Sequence, residues 1–196
     1  MKEDSLISAV AKRAADPMTR TDWADRGAPE LAPPATPEQV DQAQRALKCK
    51  LHPLHRRLLQ EVGNGGFGPA DGLIGVPGGR TDDDGRSVVE LREQLFAGHT
   101  GIDVPVQIVP LCDWGGGVWS CIDEDTGQVL MLDEAGLTTT GMSLNKWMGD
   151  WANNVSLAEK LFTFEEQTGI NPFTKKPMTT RLRSRPIGTP YRGRTS

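Results

Sequence analysis

Between Glu61 and Pro69 the chain reads Glu-Val-Gly-Asn-Gly-Gly-Phe-Gly-Pro, with four glycines in six residues. Glycine opens backbone conformations that a side chain would strain, so this stretch predicts a sharp, closely packed turn. Gly63, Gly65 and Gly68 also satisfy the spacing G-x-G-x-x-G. A dinucleotide loop needs a strand before it and a helix after it, so that the helix N-terminus meets the pyrophosphate. Here Leu54, Leu58, Leu59 and Val62 make a helical face ahead of the glycines, and the apolar run Leu73-Ile74-Gly75-Val76 behind them predicts a strand. The order is inverted, and no Gly-Lys-Ser/Thr accompanies it. Gly63, Asn64, Gly65, Gly66, Phe67, Gly68 and Pro69 are therefore read as a structural corner, with Gly63 ending the helix as a C′ glycine.

The flanking pattern is that of an α+β domain. Ser5–Ala15 predicts a short helix through Leu6, Ile7 and Val10. Asp16–Ala35, with Pro29, Pro33 and Pro34, predicts an irregular arm that Trp23 would anchor. Thr36-Pro37-Glu38-Gln39 combines an N-cap, a proline at N1 and a capping-box glutamine, opening a helix with Val40, Ala43, Ala46 and Leu47 on one face. Residues 77–86 read as a loop, Ser87–Phe96 as a capped helix, and Val106–Val109 as a strand closed by Pro110. Val118–Ile122 and Val129–Leu132, joined by an Asp/Thr/Gly turn, predict a hairpin. Ser143 caps a helix bearing Leu144, Trp147, Met148 and Trp151 and continuing, with a break, toward Phe162. The fold class is thus a mainly antiparallel sheet flanked by helices. The expected division is an N-terminal helix and arm over 1–35, a domain over 36–165, and a basic, flexible tail over 166–196.

Charge is unevenly distributed. No acid follows residue 170, whereas Lys175, Lys176, Arg181, Arg183, Arg185, Arg192 and Arg194 do. The preceding body holds all 26 acids against 15 bases, a net charge of −11. Such a body repels nucleic acid and anionic membrane and suits a basic partner. Three cysteines, Cys49, Cys112 and Cys121, argue against a disulfide framework. The first residues lack the apolar core of a signal peptide, and no apolar run reaches membrane-spanning length, so a cytoplasmic protein is expected.

No catalytic constellation emerges. Cys49, His52 and His55 are interrupted by Pro53 and read as a core cysteine with two partly exposed histidines, not a zinc site. His99 stands in a Gly-His-Thr-Gly loop without an accompanying nucleophile motif. No metal, cofactor or catalytic residue is assigned. The sharpest charge features are Asp82-Asp83-Asp84 and Asp123-Glu124-Asp125, expected at solvated turns. With Asp113 and Trp114, which a Gly115-Gly116-Gly117 loop could expose, they are the candidate contact residues for a basic partner.

Leu51-His52-Pro53, Arg56, Leu58-Leu59, the corner Asn64–Pro69 and Gly72-Leu73, followed by the Trp119–Ile122 strand and a capped Trp-bearing helix, resemble the SMI1/KNR4 (SUKH) superfamily over residues 36–165. His52 interrupts the usual Leu-Pro, and His55 replaces a common aromatic. The resemblance implies an α+β domain without catalytic machinery. Its bacterial members are largely immunity proteins that neutralise a cognate toxin, often a nuclease. The expectation is therefore a toxin-neutralising, protein-binding module with no cofactor. The alternative is a general intracellular adaptor of the same fold; a nucleotide-binding enzyme using Gly63–Gly68 ranks below both.

Overall fold

The computed structural model describes residues 2–22, 29–97 and 104–192. Trp23, His99 and Arg194 lie outside the described residues. The fold is α+β, with a five-stranded antiparallel sheet built from Ile108–Asp113, Trp119–Asp123, Gln128–Asp133, Gly136–Ser143 and Thr189–Pro190 in that order, and a separate two-stranded hairpin.

Helix α1 (Glu3–Ala14) places acids in its first turn and bases in its last, complementing the helix dipole. Leu6, Ile7, Val10 and Ala14 face inward, and the helix packs on the one at Leu144–Ala152, so it shares the body's core. The arm behind it is fastened too, since Thr21 bridges Gly68 and Ala35 N donates to Leu59 O at 2.9 Å. Helix α2 (Pro37–Leu47) starts at the expected capping box. Gln39 N donates to Thr36 Oγ1 at 3.2 Å, and Thr36 N to Gln39 Oε1 at 2.8 Å.

Helix α3 (Pro53–Arg57) runs into a π-helical turn at Leu58–Val62 and ends at Gly63. The expected left-handed C′ glycine is not what forms. Gly63 has φ 175°, an extended value open to any residue, and what demands glycine is space, because a Cβ would meet Ala32 O and Leu31 Cδ1 at 2.8 Å. Gly66 is doubly constrained, with φ +85° and a Cβ position 2.5 Å from Glu30 O.

Residues 73–76 do not form the expected strand. Their bonds go sideways, with Leu73 N to Phe67 O at 2.7 Å and Ile74 N to Leu111 O at 2.9 Å. Helix α4 (Val88–Ala97) opens at Ser87, whose N–H and hydroxyl both donate to Glu90 Oε2.

Strand β1 (Ile108–Asp113) continues through Pro110, where the sequence expects it to stop. It is an edge strand, and the ladder is irregular between Pro110 and Cys112, the setting in which a strand tolerates proline. Strands β2 (Trp119–Asp123) and β3 (Gln128–Asp133) form the expected hairpin. Strand β4 (Gly136–Ser143) is unforeseen. Ser143 then caps α5 (Leu144–Ala152) by accepting from Lys146 N, and Trp147 and Trp151 are fully buried.

The expected break in the terminal helix falls at residues 153–157, before α6 (Ala158–Leu161). The flexible tail is corrected to structure. Strands β5 (Phe162–Ile170) and β6 (Pro177–Pro186) pair as a hairpin, and β7 (Thr189–Pro190) returns to the edge of β4. Asn171 organises the hairpin turn, its Oδ1 accepting from Phe173 N and Thr174 N at 2.9 Å. Tyr191 N donates to Leu137 O at 2.8 Å, extending the seal over β4.

Candidate functional site

The corner at residues 63–69 is where the loop architecture begins. Its backbone donors are used within the chain: Asn64 N to Pro33 O, Gly65 N to Gly63 O, Gly66 N to Leu73 O and Gly68 N to Arg20 O. That spends the N–H groups an anion cradle would present. The Asn64 side chain, fully buried, mimics a strand partner. Val76 N donates to its Oδ1 at 2.8 Å, and its Nδ2 donates to Val76 O at 3.2 Å. Arg80 N adds a bond to Asn64 O at 2.8 Å, so the corner fixes the loop that follows.

That loop forms one wall of a cleft of about 620 Å³. Asp71, Asp82, Asp83 and Asp113 supply carboxylates, Arg80 and Arg183 supply cations, and Leu73, Ile74 and Trp114 form an apolar floor. Asp71 and Arg80 are not marked by any sequence motif, and Arg183 stands out in the sequence only as one of the basic residues of the tail. Arg80 stands between Asp71 at 3.7 Å and Asp83 at 3.9 Å, and Arg183 arrives from β6.

The acids divide into structural and exposed groups. The expectation that all sit at solvated tips is corrected for Asp82, Asp123 and Glu124, which are buried. Asp82 is the hub of its turn. Its Oδ1 accepts from Asp84 N and Arg86 N, and its Oδ2 meets Arg86 Nη2 at 2.6 Å. Asp123 Oδ1 accepts from Asp125 N at 3.0 Å, and its Oδ2 accepts from the Tyr191 hydroxyl at 3.3 Å. Glu124 turns inward to His55. Its Oε1 lies 2.7 Å from His55 Nδ1, and its Oε2 accepts from His52 N at 2.6 Å. His55 is thus buried, against expectation, while His52 caps α3 through its Nδ1. Cys49 is half-buried, and burial, reinforced by Glu124, pushes its thiol up to about 11. Asp83, Asp84 and Asp125 remain exposed, although Arg86 also reaches Asp84 at 2.6 Å.

Trp114 is corrected as well. It is 2% exposed, donates from Nε1 to Ser120 Oγ at 2.8 Å and stacks edge-on against Phe162 at 5.2 Å. The neighbouring glycines do not expose it, because Trp114 N donates to Val118 O and closes the loop beneath it. Asp113 is half-buried. Burial raises its carboxyl above the ordinary range, the Gly115 N–H at 2.6 Å lowers it, and Asp83, Asp71 and Asp82 raise it further. Burial lowers Arg183, which Asp113 partly offsets; its Nη2 donates to Gly115 O at 3.0 Å. The cleft therefore carries more carboxylate than its two arginines neutralise. Such a surface favours an incoming cation.

Among the described residues no helix is long and apolar enough to cross a membrane, and no group of three or more His, Cys, Asp or Glu side chains is placed to hold a metal ion. A search of the curated proteins found no match to the chain. A family model described as SMI1-KNR4 cell-wall (SUKH_5) matches residues 14–153. This span includes the last residue of α1, the arm, the corner, the acidic wall of the cleft, the sheet through β4, and α5. The chain belongs to the SMI1-KNR4 family of the SUKH superfamily.

Proposed function

We propose that this chain is a non-enzymatic binding module that neutralises a cognate toxin, acting in the cytoplasm as an immunity protein. The observation that carries the reading is the cleft bounded by Asp71, Asp83 and Asp113, where four carboxylates stand against two arginines in a chain of net charge −4. A nuclease toxin presents a basic surface where it holds phosphates. An acidic inhibitor is steered onto that surface, raising the encounter rate, and covers it once docked. Asp113 supports the same role. Its half-buried carboxylate is held beside other acids, and a guanidinium or ammonium from the partner would relieve that repulsion.

The test is co-expression with the product of a neighbouring toxin gene. Co-purification and protection of the host are expected. A protein that neither binds nor protects against any adjacent effector would sink the immunity reading. A stable partner unrelated to toxins would establish instead the general adaptor of the same fold.

A further inference from the structure

The cations around the acidic cleft are not held alike. Arg80 stands between Asp71 and Asp83, and Arg86 reaches Asp82 and Asp84, so each meets two carboxylates. On the hairpin, Arg181 lies over Phe164 and grips Glu159 of α6 through two bonds of 2.5 and 2.9 Å. Arg183, two residues on along β6 and so on the same face, makes no such pair among the described residues. Its Nη2 donates to Gly115 O at 3.0 Å, and its guanidinium lies over the Phe162 ring at 4.6 Å. Asp113 attracts it only through space, and that pull does not fully offset what burial costs the charge. The place it occupies is firmly built. Phe162 is buried edge-on against Trp114 at 5.2 Å, and Asp113 Oδ1 fixes the loop by accepting from Gly115 N at 2.6 Å. A carbonyl, an aromatic face and a nearby carboxylate thus converge on one planar cation.

We infer that this is a guanidinium-binding subsite, that Arg183 is its internal ligand in the free chain, and that an arginine of the docking partner displaces it. The inference rests on reading the cleft as the place where a cationic partner docks. The chemistry selects arginine over lysine. A guanidinium is planar, so its edge donates to Gly115 O while its face stacks on Phe162. An ammonium is more strongly hydrated and has no flat face to stack. Arg183 can leave without unfolding anything. It is half-buried on a hairpin whose strands are mostly exposed, so rotation of its own side chain carries the charge to water while the strand ladder stays intact. The exchange also has a driving force. The hairpin holds Arg183 short of Asp113, whereas a guanidinium on a separate chain is free to close that gap. Asp71, Asp82 and Asp83 around Asp113 favour the closer cation. Arg183 thereby sets a threshold, holding off weakly cationic surfaces and yielding to an arginine that fits.

The experiment is fluorescence anisotropy of labelled penta-arginine and penta-lysine against the full chain at low salt. Penta-arginine should bind the wild-type chain at least about threefold more tightly than penta-lysine. Arg183→Ala should tighten penta-arginine binding by about tenfold, the gain expected if Arg183 fills the subsite roughly nine times in ten. Lys176→Ala removes the same charge at the hairpin turn and should gain less than about twofold. Arg183→Lys keeps the charge, gives up the planar fork and should show part of the gain, which keeps the test decisive if alanine unsettles the hairpin. Circular dichroism checks that each variant is folded. Asp113→Asn in the Arg183→Ala chain should remove most of the gain. Two outcomes overturn the inference: an Arg183→Ala chain that binds penta-arginine no better than Lys176→Ala, or penta-lysine binding that gains as much as penta-arginine. Either leaves the co-expression test of immunity standing, because protection does not depend on what fills the subsite in the free chain. Exchange at the subsite without protection upholds the inference and removes the immunity reading alone.

Discussion

His55 Nδ1 lies 2.7 Å from Glu124 Oε1, with both side chains withdrawn from solvent. The contact ties the start of α3 to the turn between β2 and β3, and Glu124 Oε2 reinforces it by accepting from His52 N. One carboxylate thus satisfies two buried donors on a segment 69–72 residues away in sequence. Replacing it with Leu should leave both unpaired and cost about 3–5 kcal/mol. Glu124→Gln keeps an acceptor and should cost less. Urea denaturation midpoints of the two variants check this, and equal losses would show that the polar pairing carries no weight.

Asn64 performs a comparable task for the cleft wall, giving Val76 the donor and acceptor of a missing strand. Asn64→Ala should cost about 1–3 kcal/mol, the penalty for a buried peptide group left without partners. Gly66→Val combines a positive φ with a collision at Glu30 O and should lower the melting temperature before it affects any partner. A Gly66→Val protein that melts normally but has lost binding would reverse that order.

The two exposed acids of the first cluster can be separated from their structural neighbour. Asp83→Asn with Asp84→Asn should leave stability nearly unchanged, because their contacts are at the surface. Association with a basic partner should slow by roughly two- to tenfold at low salt, with a flatter salt dependence. Stopped-flow association at two ionic strengths reads this directly. Asp82→Asn belongs in a different class, since it loosens the Arg86 contacts that hold the turn.

Asp113 gives a pH signature. Its folded carboxyl is raised above the unfolded value, so its favourable contribution exists at low pH and disappears as pH rises through the folded value. Asp113→Asn keeps the oxygen that accepts from Gly115 N and removes the charge. The variant should be more stable than wild type at neutral pH. The gap should close as pH falls to the ordinary aspartate value near about 3.9. Thermal melts from neutral to acidic pH decide it, and a gap that stays constant would place the cause elsewhere.

What could be read in advance was local. Thr36 with Gln39, Ser143 before its helix, and the turn between Ile122 and Val129 carry their signals within a few residues, and each formed as written. Strand β4 was hidden because its Thr-rich stretch offers only Leu137 and Met142 as apolar markers. A ladder interruption between Val129 and Leu130 also breaks the alternation that would have revealed it. The candidate acids were visible as charges but not as roles. Nothing near Glu124 in sequence announces His55, and nothing near Asp113 announces that Arg183 will stand beside the same cleft. Asp82 was partly legible, since an Asp three residues before Gly85 is a turn signature.

The β7 segment has a temporal consequence. Synthesis runs from the N-terminus, so β4 is made and paired with β3 long before Thr189–Tyr191 emerge. During that interval the outer edge at Leu137, Thr138 and Thr139 offers unpaired peptide groups to any other nascent strand. Thr189–Tyr191, made after both strands of the β5–β6 hairpin, are the residues that end this exposure.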